Sequence, residues 1–310
     1  MDGAAIKMKQ NEFELLCALE RKKQEGLFLQ SAATEAKLLT EEAVKVIQEL
    51  QQNKLVECRE RKLYITEEGL EQLEPYRVKR AVIIAAGFGS RMVPITWNTP
   101  KPLVRVHGKK IVETLLDAIQ AAEIPEVILV RGYLWEQFDQ LLYQYPNIKF
   151  IQNDDYENAN NVSSVYLARH LLENAYVCEA DLYINNPAVV RKYEYASNYL
   201  GVPRTFTDDW CFQTKNGYIK KLLIGGENVH HMYGISYWTK EDGQKLVSCL
   251  EDAYLKYPGG SQLYWDEVPL KLYIDQFHVQ VRSCKMEDII EIDTFEELQK
   301  VDPMYKETGV

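Results

Sequence analysis

Two different spacings of hydrophobic positions divide this chain near residue 78. Before that point apolar residues recur at helical intervals. Phe13, Leu16 and Leu19 share one face of a helix predicted over residues 11–23. Thr40-Glu41-Glu42-Ala43 reads as a hydroxyl cap with first-turn acids, and Val44, Ile47 and Leu50 then form the stripe of the helix it opens. Asn53-Lys54 ends that helix. Leu55-Val56 and Tyr64-Ile65 bracket a charged turn over residues 57–62, the layout of a hairpin, and Thr66-Glu67-Glu68-Gly69 starts a last helix. The predicted order is helix, short helix, helix, hairpin, helix.

From Lys79 the period changes. Ala81-Val82-Ile83-Ile84-Ala85 is an unbroken apolar run, the mark of a strand covered on both faces. Further strands are predicted over residues 127–130, 148–151 and 176–178, alternating with helices over 111–122, 134–143 and 162–172. Strand-helix-strand units imply right-handed crossovers and an α/β domain with a mixed but mainly parallel sheet. Ligands of such sheets bind at the carboxyl ends of the strands. Chemistry is therefore expected in the loops after Ala85, Val130, Ile151 and Cys178.

The length of 310 residues agrees with two domains, 1–78 and 79–310. No apolar run approaches the ~18 residues of a membrane span, and MDGAAIKMKQNEFELL lacks a signal peptide's apolar stretch. A cytoplasmic protein that does not engage membranes is expected. Six scattered cysteines with no CxxC pair exclude a zinc or disulfide framework and fit a reducing compartment. The segment LTEEAVKVIQELQQNKLV resembles the winged-helix (MarR-like) domain of bacterial regulators. Its presumed recognition helix, however, offers Glu41, Glu42, Lys45, Gln48, Glu49, Gln51 and Gln52, and residues 1–78 carry 12 Lys/Arg against 15 Asp/Glu, a net of −3. With −10 on the whole chain, phosphate contacts have little to draw on. DNA is not the expected partner. A docking role, or a homodimer formed through this segment, is expected instead.

After the first strand of the second domain comes Ala86-Gly87-Phe88-Gly89-Ser90-Arg91, and later Thr99-Pro100-Lys101-Pro102-Leu103. Glycines let backbone N–H groups approach phosphate. The third glycine of a Rossmann fingerprint is missing, as is the GK[ST] of a Walker loop. The whole string AVIIAAGFGSRMVPITWNTPKPLVRVHGKKIVETLLDAI resembles the nucleotidyltransferases that activate sugar phosphates. The resemblance implies a Rossmann-like domain in which Ala86, Gly87, Phe88, Gly89 and Ser90 cradle the nucleotide. Arg91 and Lys101 would act on the triphosphate. Such chemistry calls for Mg²⁺ held by one or two carboxylates. The resemblance puts that role on Asp181, after Val177-Cys178-Glu179-Ala180, and on Asp293, after Ile289-Ile290-Glu291-Ile292 and before the capping box Thr294-Phe295-Glu296-Glu297. Glu179 is the rival to Asp181, expected to lie further back along its strand.

Four further segments in sequence order resemble the bacterial CTP:phosphocholine cytidylyltransferases: residues 160–167, Thr207-Asp208-Asp209-Trp210, residues 233–238 and Leu263-Tyr264-Trp265-Asp266-Glu267. This implies transfer of CMP from CTP to phosphocholine, releasing pyrophosphate and CDP-choline. A trimethylammonium group is held by aromatic faces and carboxylates, here expected from Trp210, Tyr264, Asp266 and Glu291. Asn160, Asn161 and Ser163 are expected at the nucleotide, where amides and a helix N-terminus can meet base or ribose. Between Asn198 and Thr207 the chain departs from the pattern, which keeps 2-aminoethylphosphonate and phosphoethanolamine as alternative acceptors. A sugar-1-phosphate nucleotidyltransferase and a DNA-binding regulator with a nucleotide-sensing domain are the rival functions.

Overall fold

The computed structural model describes residues 8–307. Residues 1–7 and 308–310, which include the start of the segment read as lacking a signal peptide, lie outside the described residues. The chain forms two units, one of the residues up to Arg77 together with Tyr193–Tyr195, the other of Val78–Lys192 and the residues from Ala196.

In the first unit, α1 (Gln10–Arg21), β1 (Leu27–Phe28), α2 (Leu29–Glu35) and α3 (Thr40–Gln52) are followed by β2 (Val56–Arg59), β3 (Lys62–Ile65) and α4 (Glu67–Leu73). Ala43, Val46, Ile47 and Leu50 of α3 are buried, whereas Glu41, Glu42, Lys45, Gln48, Glu49, Gln51 and Gln52 are exposed. Thr40 does not cap this helix. It is the first helical residue, and Leu39 precedes it without a side-chain bond. Thr66 does cap α4, accepting from the Gly69 N–H at 3.0 Å. Glu60 and Arg61 both have positive φ, 50° and 64°, as a two-residue hairpin turn with the twist of its strands requires.

The second unit contains β4 (Arg80–Ala85), the ribbon β5 (Arg105–Val106) and β6 (Lys109–Lys110), α5 (Ile111–Ala121), β7 (Glu126–Arg131), β8 (Ile148–Gln152) and α6 (Val162–Leu167). It continues with β9 (Ala175–Glu179), β10 (Leu182–Ile184), β11 (Asn198–Lys215), β12 (Tyr218–Trp238) and α7 (Lys240–Lys256), then β13 (Gln280–Ser283), β14 (Ile289–Glu291), α8 (Phe295–Val301) and α9 (Met304–Glu307). The main sheet runs β11-β13-β12-β9-β4-β7-β8. The pairs β9–β4, β4–β7 and β7–β8 are parallel, and β12–β9 is antiparallel. This is an α/β arrangement with a mixed sheet. The unbroken apolar run of β4 has a direct cause. Ala81, Ile83 and Ala85 enter one core with α5, while Val82 and Ile84 enter the other with α6 and α7.

Two helices differ from expectation. Residues 135–143 form a 3₁₀ segment that starts after Leu134 in the left-handed region, and the helix predicted over 162–172 stops at Leu167, followed by a 3₁₀ turn over Arg169–Leu171. Among the described residues no helix is long and apolar enough to cross a membrane.

Candidate active site

At the carboxyl ends of β4, β8 and β9 the second unit opens a cavity of about 420 Å³. The loop after β4 supplies Ala86, Gly87, Gly89 and Arg91, the segment after β8 supplies residues between Asn153 and Ser164, and β9 runs out through Glu179 and Ala180 to Asp181. The loop after β7 does not line the cavity. It supports the first loop from behind, through Tyr133 N–H donating to the Ala86 carbonyl at 2.9 Å. Phe88 belongs to that support, since its ring packs edge-on against Tyr133 at 4.6 Å. Neither Phe88 nor Ser90 lines the cavity, which separates them from the rest of the expected cradle.

The glycine loop shows two different requirements. Gly89 has φ +69°, and a Cβ there would stand 3.0 Å from Lys101 Cβ. At Gly87 a Cβ would meet nothing within 4 Å, so the space beside that backbone is open for a ligand. Gly89→Ala should therefore lose about 1–2 kcal/mol of stability, seen as a lower thermal midpoint. Gly87→Ala should stay within about 0.5 kcal/mol of the parent and instead raise the KM for nucleotide.

Asp181 and Asp293 converge because of a pairing that crosses more than a hundred residues of chain. β10, just after Asp181, runs antiparallel to β14, just before Asp293, with Leu182 opposite Glu291. Ile292 N–H donates to the Asp181 carbonyl. A small apolar cluster of Met92, Val104, Val106, Ile111, Ile292 and Leu298 fixes this segment beside the Arg91 loop. Thr294 then caps α8 by the expected capping box with Glu297. The two carboxylates meet on one nitrogen: Lys101 Nζ donates to Asp181 Oδ2 at 2.8 Å and to Asp293 Oδ1 at 2.7 Å. Arg91 Nη2 lies 3.1 Å from Asp293 Oδ1 but is 67% exposed, against 11% for Lys101. One cation is buried between the carboxylates and the other reaches Asp293 from the solvent side. Burial acts against the Lys101 charge, yet Asp181 and Asp293 outweigh it and hold the ammonium above the ordinary lysine range.

The carboxylates suit a hard cation. Asp181 Oδ1 is buried with no hydrogen-bond partner among the described residues, and oxygens of Glu179, Asp181 and Glu291 lie within 4.8 Å of one another. An all-oxygen donor set with an orphaned carboxylate oxygen fits Mg²⁺. Glu179 shares this pocket more closely than expected. Its Oε1 accepts from Asn161 Nδ2 at 3.2 Å, and a Cβ on Gly234 would fall 2.5 Å from its Oε2. Burial first, then Asp181, Asp266 and Glu291, push the Glu179 carboxyl well above the usual range. Glu291 is raised for the same first reason, with Asp181 and Asp293 adding to it.

Asn160, Asn161 and Ser163 line the cavity, but their polar atoms are already engaged in a latch. Asn160 N–H donates to the Ser261 carbonyl at 2.7 Å and its amide to the Gln262 carbonyl. Asn161 Oδ1 accepts from Trp265 N–H at 2.8 Å, and Ser163 Oγ bonds the Asn160 carbonyl. Asn153, absent from the sequence reading, donates to both Ser163 and Ser164 hydroxyls. Together these bonds hold the loop that carries Tyr264. Tyr264 faces the cavity while Trp265, 2% exposed, goes into the core. Trp210 meets Tyr264 at 5.3 Å with the rings inclined by 61°, an open aromatic corner. Asp266 is buried below it, accepts from Tyr199 OH, and is pushed by burial to about 6. Asp209 joins this wall. It belongs to the segment that carried the resemblance, and nothing in the spacing distinguished it from Asp208.

The MobA-like NTP transferase domain matches residues 81–204. The 2-aminoethylphosphonate cytidylyltransferase of Lancefieldella rimae is 36% identical over 231 residues, 73% of this chain and 92% of that protein. The chain belongs to the nucleotidyltransferase family. The choline-phosphate cytidylyltransferase of Haemophilus influenzae is another relative of this nucleotidyltransferase, 33% identical over 72% of this chain and 97% of its own. Among solved structures, the CTP:phosphocholine cytidylyltransferase of Streptococcus pneumoniae matches with a TM-score of 0.68 and 33% identity, over 74% of this chain and 99% of that one.

Proposed function

We propose that this nucleotidyltransferase transfers CMP from CTP to a small phosphate or phosphonate ending in a cationic amine, the class that contains phosphocholine, phosphoethanolamine and 2-aminoethylphosphonate. The observation that carries the reading is a single cavity lined by the glycine loop, by Lys101 between two carboxylates and by the Trp210–Tyr264 corner beside acids. A hexose phosphate gives that corner no cation to hold, which weighs against a sugar-1-phosphate enzyme. Relatives named for phosphocholine and for 2-aminoethylphosphonate support the class.

An acceptor oxygen attacks the α-phosphorus, the new P–O bond forms in line with the breaking bond, and the electron pair leaves with pyrophosphate. Ala86, Gly87 and Gly89 hold the nucleotide by backbone. Lys101 and Arg91 offset the charge gathering on the leaving group. Mg²⁺, held by Asp181 and Asp293, would supply polarisation of the phosphate. A pyrophosphate-release assay crossing the four NTPs with phosphocholine, phosphoethanolamine, 2-aminoethylphosphonate and glucose 1-phosphate tests the reading. Release is expected with CTP and the three amine acceptors. Release with glucose 1-phosphate instead, or with none of the four, would reject it.

For the first unit we infer a winged-helix module used for docking or self-association. The exposed face of α3 carries Glu41, Glu42 and Glu49 against Lys45 alone, so DNA binding with a log–log salt slope of several is not expected in a titration with duplex DNA.

A further inference from the structure

The loop from Ala86 to Lys101 carries both cations assigned to the triphosphate, and a short segment outside the cavity holds it. Tyr133, two residues beyond β7, touches that loop at three points. Its N–H donates to the Ala86 carbonyl at 2.9 Å, its ring meets Phe88 edge-on, and its hydroxyl donates to the Trp97 carbonyl at 2.8 Å. Further along the segment, Gln137 Nε2 donates to the Asn98 carbonyl, also at 2.8 Å. Neither Tyr133 nor Gln137 lines the cavity. The approach needs Gly132, where a Cβ would stand 2.8 Å from the Ala86 carbonyl oxygen, closer than a side chain tolerates.

We propose that the Tyr133 hydroxyl, together with Gln137, is a positioning strap that sets Lys101 against the leaving pyrophosphate. The proposal rests on the role given to Lys101 in the reaction above and deepens it. The route from strap to lysine is short. Thr96, fully buried and next to Trp97, donates its hydroxyl to the Gly89 carbonyl at 2.9 Å. The place of a Cβ on Gly89 is itself 3.0 Å from Lys101 Cβ and 3.3 Å from Thr96 Cγ2. Residues 96–98 are thus held between the strap on one side and the packing of Gly89 with Lys101 on the other. Pro100 and Pro102 flank Lys101 and fix φ there, so a shift at Trp97 and Asn98 is passed on rather than absorbed.

The far end of Lys101 is anchored by Asp181 and Asp293. Those carboxylates keep the ammonium in the site even when its backbone moves, so loss of the strap misplaces the lysine without releasing it. Misplacement by about 1 Å costs roughly a hundredfold in rate, and losing one of two strap bonds should cost part of that. The nucleotide is affected less, because the Ala86 end of the loop is held by a backbone N–H that no side-chain change removes.

The test uses Tyr133→Phe, which keeps the ring and deletes only the hydroxyl, and Gln137→Met, which removes the amide at similar length. CTP is paired with the amine acceptor that the parent turns over fastest. In each variant kcat should fall about tenfold, with both KM values within about twofold of the parent. A role confined to stability would lower the thermal midpoint and leave kcat in place. The deciding measurement combines each change with Lys101→Ala. If the strap acts through the lysine, it should alter kcat by less than about twofold in that background, whereas independent effects would multiply. A kcat near the parent's in both single variants would overturn the proposal. So would a tenfold factor that persists without Lys101, or a loss that falls on the KM for CTP. A variant without a cooperative thermal transition is misfolded, and the other of the pair then decides in the same cycle. Failure of the underlying reading looks different: the parent releases no pyrophosphate with any amine acceptor.

Discussion

Replacing Lys101 by alanine should lower kcat by more than about a hundredfold at saturating substrates, the scale set by removing one preorganised charge from a transition state. The structure makes this the largest single loss available. Lys101 is the buried cation of the site, and its nitrogen touches both Asp181 and Asp293. Arg91, mostly exposed, cannot take its place without losing its own. Removing one partner from a buried ion pair costs about 3–5 kcal/mol, so the thermal midpoint should fall as well. The two effects separate on adding Mg²⁺. A divalent cation can relieve the repulsion between the carboxylates and recover stability, but it cannot return the ammonium to the leaving pyrophosphate. Because Lys101 is held above its ordinary value of 10.5, its charge persists through the neutral range. The parent should show no alkaline loss from this group below pH 10. Near-normal turnover in Lys101→Ala would remove the lysine from the mechanism.

How much of this site was legible in the sequence depended on the range of the interactions that build it. Local signals read well. The apolar run of β4, the hairpin and the capping box at Thr294 each rest on neighbours a few residues apart, and each is present. The turn expected over residues 57–62 narrows to Glu60-Arg61, because residues 57–59 and 62 belong to the strands. Spacing alone could not show that Asp181 and Asp293 meet, because that depends on β10 pairing with β14. The resemblance to nucleotidyltransferases supplied the pair, and the pairing explains it. The long hairpin of β11 and β12, 18 and 21 residues, was not foreseen. Its register shifts repeatedly around residues 207–213, which breaks the two-residue alternation a strand prediction needs. That irregularity is also what turns Asp209 and Trp210 toward the cavity. Glu179 lies closer to the pocket than its place in the strand suggested, for a related reason. Its orientation depends on Gly234 of the neighbouring strand leaving room for it, and that cannot be seen from β9 alone.

Asp181→Asn should also cost more than about a hundredfold in kcat, while Glu179→Gln costs much less. The two acids sit two residues apart and are a direct trial of which one the chemistry uses. Glu179 has its hydrogen-bond donor, the Asn161 amide, and a glutamine keeps an oxygen in that position. Asp181 keeps one oxygen on Lys101 and buries the other with no partner among the described residues. An amide there still accepts from the ammonium through its oxygen, but it turns a neutral NH₂ toward the space where an anionic ligand atom is needed. Binding of Mn²⁺, followed by its electron paramagnetic resonance signal without any turnover, should weaken sharply in Asp181→Asn and only slightly in Glu179→Gln. If the two variants exchange places in both measurements, Glu179 is the ligand, and the buried oxygen of Asp181 serves only to anchor Lys101.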